Sequence, residues 1–548
     1  MAALAAIQYG RDAFDTRERM MGRQVAGKTF LQAWIAHSGV DPLTFWTESD
    51  AQRHAATRQS RELGATMPIA HAAPHQLDPL RAAGALWLAD PSLGRFAWDR
   101  RWRRQDGWSL VGITHTMSSQ AAMDRVAELL VAPVQPWDAL ICTSRAIRSF
   151  VMAVLEAEAD YLRARVGAQV FAGPMLPVIP LGVPCDALDP DPADRVRWRA
   201  ELGLGDDDVA VLQFGRLVVH AKAHPVPLYL ALRDAGARLG RPLHLILAGH
   251  CTNPAQDVLF RALAAEFAPH VTTHFVDGMR PDVDGVRAAA DIGTLLSDNI
   301  QESFGLAPVE LMAAGLPVVA TDWDGLRDTV VDGETGMLIP TLLPVRGAGE
   351  VIARRYALGL DTNDRFIGAV AQSTALDLGR AADAFHALAA DRALRQRMGA
   401  AAQARARTHY DWPVIIRRHC DLLAELAALR GAGQGEHAPR RPGGPLRGSR
   451  MDPFAAFAAH ATAPLDPALR VDRAPAAPAS AAAPPGGPEA CLFNPAVLPP
   501  VAVLDAMVAR AAGGCSVDEL AVAFRAVDGA ALINGVGWLL KYGYLVRV

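Results

Sequence analysis

The sequence predicts an α/β protein of two parallel-sheet halves that face a cleft, followed by a linker and a small C-terminal module. Three observations predict it. Short apolar runs alternate with amphipathic helical segments twice, over residues 1–190 and again over 191–411, as parallel strands with helical crossovers do. In the second run, a strand, a glycine-bearing turn and a helix are bracketed by Glu302 and Glu310. Residues 431–490 are rich in Pro, Ala and Gly, a composition that cannot bury enough apolar surface to fold alone.

At 548 residues the chain exceeds one core, and two or three domains are expected. Its net charge of -4 points to no generic charged partner, so no nucleic acid is expected. Six scattered cysteines form no C-x-x-C pair, which argues against a disulfide frame or a zinc site and fits a reducing cytoplasm. No secretory signal is read at the N-terminus, and no apolar run approaches the roughly 18 residues of a membrane span.

In the first half, Val111–Thr114, Ala139–Cys142 and Val178–Pro180 read as strands, and Ser119–Leu130 and Ser144–Leu155 as helices. His115 ends the first of these strands, where a ligand-facing residue would sit. Gly22–Thr29 matches the P-loop pattern G-x-x-x-x-G-K-[ST], with Lys28 as its lysine. A P-loop needs a buried strand directly before it, and residues 15–21 are too charged for one. An ATPase is therefore the lesser reading. The run Trp98–Arg104 mixes aromatic and basic residues. It fits either a half-buried helix or a surface that meets an acceptor or the inner face of the cell membrane.

In the second half, strands are read at 209–214, 243–248, 271–276, 292–297 and 318–321, with helices near 383–410. Residues 412–430 read as a long terminal helix packing back on the first half. Residues 491–548 read as a winged-helix-like accessory module, with Ser516–Glu519 as a capping box. Its last fifty residues carry four acidic and four basic side chains, so a protein partner is expected rather than DNA.

The chemistry concentrates in two motifs. Glu302-Ser303-Phe304-Gly305-Leu306 leads into the helix that carries Glu310, and such a turn aims free backbone N–H groups at one point, where an anion is favoured. Gly215-Arg216 follows the first strand of the second half, with Lys222 six residues further on. Two fixed cations and a helix N-terminus suit a leaving group on which negative charge develops.

Together with the Gly315–Thr321 strand, Asp324–Asp328 and Asp332–Gly336, these motifs closely resemble family 4 of the retaining glycosyltransferases, which have the two-domain GT-B fold. The resemblance runs over residues 1–430. It implies transfer of a sugar from a nucleotide diphosphate-sugar to a glycan or lipid-linked acceptor hydroxyl, with no cofactor and no metal. It assigns the donor sugar to Glu302, the ribose to Glu310 and the diphosphate to Arg216 and Lys222. His115 would lie beside the transferred sugar, and Gly27 in a loop near the donor phosphates. The family usually has two glycines and a glutamate where this chain has Asp324-Gly325 and Asp328. That departure motivates the rival reading, a non-catalytic scaffold on a degenerate transferase body. Asp322/Asp324 and Asp282/Asp284 mimic a D-x-D metal motif but read as loop carboxylates.

Overall fold

The apolar runs of the first half fold as six strands: β1 (Ala6–Gln8), β2 (Leu43–Trp46), β3 (Ile69–Ala72), β4 (Ala85–Leu88), β5 (Ser109–Ile113) and β6 (Ala139–Ile141). The computed structural model describes all residues except 1–4, 15–21, 241–242, 252, 434–435, 440–442 and 446. Every pairing in this sheet is parallel, in the order β3-β2-β1-β4-β5-β6. The second half repeats it with β7 (Ala210–Phe214), β8 (His244–Gly249), β9 (Thr272–Asp277), β10 (Ile292–Leu295), β11 (Val318–Thr321) and β12 (Gly336–Ile339). Its order, β12-β11-β10-β7-β8-β9, is the same doubly wound arrangement counted from β7. Both halves are Rossmann-like, and together they form the GT-B architecture. Strand order reverses between β7 and β10, and the loops diverging there leave a crevice at the C-terminal strand ends.

Two local expectations are corrected. Val178 makes only an isolated parallel bridge to Cys142 instead of a strand, because Pro177 and Pro180 offer no N–H to a ladder. The segment matching a P-loop is helical: Gly22–His37 is one continuous helix, so its N–H groups from Ala26 onward are spent inside it and Lys28 is exposed. The charged residues 15–21 before it lie outside the described residues. Gly27 therefore sits within this helix and not in a loop before it. Its missing side chain admits Ala13 O, which a Cβ would approach to 2.0 Å.

The helix Trp412–Ala432 returns to the first half and packs on Gly22–His37. The Phe30 ring stacks on Trp87 at 4.2 Å and meets Trp412 edge-on. His419 is buried against the same ring, and burial pushes its pKa down to about 3, which keeps it neutral. Arg430 donates to Gly84 O and Ser109 Oγ. The chain stays docked beyond this helix, as Gln135 Nε2 donates to His437 O at 2.9 Å and Arg101 Nε to Ala438 O at 3.1 Å. The start of the Pro/Ala/Gly-rich stretch is thus held by its backbone carbonyls, which composition does not reveal.

The Trp98–Arg104 run lies mostly on the helix Leu93–Arg103. Arg100 is fully buried and donates to both carboxylate oxygens of Asp138, at 2.6 and 2.7 Å. Arg103 donates to Pro74 O, and Arg104 is bidentate to Asp106. All four arginines of the run have partners within the chain.

The second unit spans Gly443–Val548. It begins well before residue 491: Arg470–Arg473 forms a strand paired antiparallel to both Cys515–Ser516 and Leu545–Arg547. The helices Val501–Ala511, Val517–Ala523 and Gly529–Lys541 pack on it through Val471, Leu504, Leu520 and Leu539. The capping box is formed, with Ser516 Oγ accepting from Glu519 N while Ser516 N donates to Glu519. Composition misses the added strand because its few apolar residues are buried by pairing with distant segments.

Candidate functional site

At the end of β7 the chain turns through Gly215 into Arg216. The floor of the crevice is glycine. A Cβ on Gly249, at the end of β8, would meet Gly215 O at 1.7 Å, and one on Gly278 would meet the Gly249 backbone at 2.7 Å. Only side-chain-free residues let these three turns stack, and the backbone thereby becomes accessible to a ligand. Lys222 follows on a loop held by its carbonyls: Ser297 Oγ donates to Lys222 O at 3.0 Å, and Asn299 Nδ2 donates to His220 O. Lys222 Nζ reaches across to Glu302 Oε2 at 2.7 Å.

The helix Leu306–Ala313 opens behind Gly305, whose φ is +84°. A Cβ there would also stand 2.4 Å from Leu326 Cδ2, so both conformation and space require glycine. The first N–H groups of this helix lack intrahelical acceptors. Glu310 projects from the same helix and accepts from Arg287 Nη2 at 3.3 Å. Arg287 is 6% exposed, stacks 3.9 Å over the Phe214 ring and also donates to Asp284.

A cavity of about 300 Å³ gathers these groups. His115, Arg216, Lys222, Glu302, Ser303, Phe304, Gly305, Leu306 and Glu310 all line it, so one hollow holds every predicted site residue except Gly27. Gly27 lines a separate small crevice beside His115. It is a packing glycine, since its space is taken by Ala13 O. The first half supplies His115 and Thr116, whose Oγ1 donates to Gln301 O at 3.5 Å.

The unusual acidic pair has a structural place. Ser144 Oγ donates to Asp324 Oδ1 at 3.2 Å, while Arg145 N and Nε donate to the two oxygens of Asp328 at 2.7 and 2.6 Å. Both carboxylates therefore face the N-terminus of the helix Arg145–Val166, where negative charge is stabilised. They link the two halves. Burial pushes the Asp324 carboxyl up to about 7, and the charge of Glu302 adds to the shift. Asp298, buried behind the Lys222 loop, is likewise raised to about 7 by burial. Asp322 pairs with Arg327, Asp282 with Arg197 and Arg280, and Asp284 with Arg287. Among the described residues no group of three His, Cys, Asp or Glu side chains is placed to hold a metal ion. No described helix is long and apolar enough to cross a membrane.

Sequence reading missed Arg287, Gly249 and Gly278. Each left a trace: a glycine directly after Ala248, a glycine one residue past Phe275-Val276, and a lone cation within Gly285-Val286-Arg287-Ala288-Ala289. A buried arginine requires an acidic partner, but nothing local names Glu310 as that partner.

Residues 194–344 match the family described as glycosyl transferases group 1, a segment that contains Arg216, Lys222, Glu302 and Glu310. The 2-deoxystreptamine glucosyltransferase of Streptomyces kanamyceticus is 29% identical over 310 residues, 53% of this chain and 69% of that protein. The D-inositol 3-phosphate glycosyltransferase of Acidothermus cellulolyticus is 33% identical over 175 residues, 29% of this chain and 36% of that protein. Among solved structures, Anabaena HepE in complex with UDP and glucose superposes with a TM-score of 0.49 at 16% identity, covering 77% of this chain and 100% of that one.

Proposed function

We propose that this chain, whose residues 194–344 match the family of glycosyl transferases group 1, is a metal-independent retaining glycosyltransferase acting on a nucleotide diphosphate-sugar. The observation that carries this reading is the convergence of Arg216, Lys222, Glu302 and Glu310 on one cavity at the switch point of the second sheet. Two cations, a helix N-terminus and a glycine floor suit a diphosphate. Glu302 and Glu310, on either side of the Gly305 turn, offer acceptors for the hydroxyls of the sugar and the ribose.

The chemistry follows from that placement. The acceptor oxygen forms its bond to the anomeric carbon as the bond from that carbon to the β-phosphate oxygen breaks. The electron pair leaves with the nucleoside diphosphate, and the acceptor proton passes to the leaving phosphate oxygen on the same face of the sugar. Lys222 and Arg216 stabilise the charge gained by the diphosphate. Lys222 has an ionic partner in Glu302 before the donor arrives, so its ammonium is already positioned. His115 closes the cavity from the first half, beside the transferred sugar. Asp324 lies on the helix-facing side and leaves the donor groups convergent, which weighs against the degenerate scaffold.

Thermal shift with UDP-, GDP- and ADP-sugars tests the reading, because a bound donor raises the melting temperature by mass action. At least one is expected to stabilise the protein and to release its nucleoside diphosphate on turnover. No stabilisation by any donor would refute the proposal.

A further inference from the structure

A second cavity, of about 500 Å³, adjoins the first and has the size of a small-molecule site. Consecutive residues pass from one lining to the other: Met117 and Ser118 continue from His115 and Thr116, and Ile300 runs into Gln301 and Glu302. The chemistry changes across that boundary. Cations, carboxylates and glycines line the donor cavity, whereas apolar residues such as Met123, Phe150, Trp323 and Phe366 make up most of the second, beside Ser118, Asp324, Arg327 and Thr341.

Two features mark the second cavity as built for a ligand. Ser118 is 5% exposed, and its hydroxyl has no hydrogen-bond partner among the described residues, which is uncommon for a buried hydroxyl. Asp324 has φ +44°, a left-handed conformation in which glycine would be relaxed and a side chain is strained. A carboxyl is nonetheless kept there, at the edge of the apolar space.

The far wall is an arm. Thr341–Leu342 pairs antiparallel with Ala375–Leu376 and closes off an excursion that carries the helices Glu350–Ala357 and Asn363–Ala371. Gln120 fastens it to the first half, its N donating to Tyr356 Oη at 3.1 Å and its Nε2 to Tyr356 O at 2.7 Å. Phe366 stacks on Tyr356 at 4.2 Å and forms part of the cavity lining.

We propose that this second cavity is the acceptor site and that it takes an alcohol with an apolar aryl or alkyl body, its hydroxyl held by Asp324 and Ser118 at the wall shared with the donor. Calling the ligand an acceptor rests on the transferase reading above; its apolar character rests on the lining alone. A polyol or phosphorylated acceptor would leave most of its hydration unreplaced against the Met, Phe and Trp side chains, with only Ser118, Asp324, Arg327 and Thr341 to take its place. An apolar body gains from the same burial.

Titration calorimetry of the full chain with 2-naphthol, 1-decanol and myo-inositol tests the assignment, followed by transfer assays with whichever nucleotide-sugar binds. Ala146→Trp fills the cavity from the helix Arg145–Val166, and Phe366→Ala removes one wall. The expected result is binding of 2-naphthol or 1-decanol by wild type and at least tenfold weaker binding by Ala146→Trp. Nucleotide affinity and melting temperature should be unchanged in that variant. Phe366→Ala should weaken naphthol in the same direction and covers the case in which Ala146→Trp does not fold. Equal naphthol binding by wild type and both variants overturns the assignment. So does transfer to myo-inositol, at equal rates in wild type and variants, without any binding of the apolar alcohols. Cavity-dependent naphthol binding with no nucleotide bound would instead refute the transferase reading and leave the apolar ligand site standing.

Discussion

Replacing Lys222 with alanine tests the electrostatic core of the donor site. The ammonium lies 2.7 Å from Glu302 Oε2, with the two side chains 26% and 10% exposed. At an effective dielectric near 20, opposite charges about 4 Å apart attract by roughly 4 kcal/mol. A bound diphosphate at similar range would experience a comparable field, and its charge grows as the glycosidic bond to phosphate breaks. Removing one preorganised donor of this kind lowers kcat by about 10²–10³, or about 3–4 kcal/mol. The donor KM should change less, because the gain is largest where the charge is largest. The assay is steady-state release of nucleoside diphosphate at saturating donor, with calorimetry to measure nucleotide affinity separately. A competing explanation is that Lys222 only neutralises Glu302. If that held, Lys222→Ala with Glu302→Gln would regain the lost rate. The double variant is expected to stay as slow as the slower single one. A kcat for Lys222→Ala within about threefold of wild type, or recovery in the double variant, would refute the reasoning.

Other expectations follow from the same geometry. Glu310→Ala should raise the donor KM by roughly tenfold or more with kcat nearly unchanged, and Arg287→Met should do the same more weakly, since its guanidinium only orients that carboxylate. Arg100→Ala should destabilise the first unit by about 3–5 kcal/mol, because it strands the fully buried Asp138 carboxylate; a lowered urea midpoint checks it, with Arg104→Ala as a surface control. Asp298 and Asp324 are raised to about 7 in the folded protein against about 3.9 unfolded. Between those values the folded state binds more protons, so stability should fall as pH rises from about 4 to 7 and level off above. Asp324→Asn should flatten part of that slope in melting curves across this range. Lys28→Ala should leave donor turnover unchanged, as Lys28 is an exposed helical residue, and wild type should show no ATP turnover that depends on it.

Alternation of apolar runs was enough to read β5 and β6 of the first sheet and β7 to β11 of the second, because a strand buried on both faces is apolar along most of its length, as β5 and β10 are. The residues proposed for the donor were legible as one cluster. Arg216 lies just past a strand end, Lys222 and Glu302 on the loops that follow β7 and β10, and Glu310 on the helix after the second loop, so chain direction brings them toward the switch point. The P-loop match, the lesser reading of that segment, falls on a helix, because a helix and a phosphate loop can share the same letters. What separates them is whether the N–H groups are spent, and in the helix Gly22–His37 those from Ala26 onward are. The docking of the segment after residue 432 was hidden for a related reason, since carbonyl hydrogen bonds leave no mark on side-chain composition.

Local sequence, then, determined β5 to β11 and the cluster of residues that meets at the first cavity, since both depend on periodicity and on short-range chain geometry. Tertiary structure alone decided the partners. It joined Arg287 to Glu310 across 23 residues and Asp324 to Ser144 across 180, buried Arg100 on Asp138, and set an apolar second cavity beside the polar one. Such pairings are chosen by which surfaces come together when the halves fold, and no spacing along the chain encodes that distance.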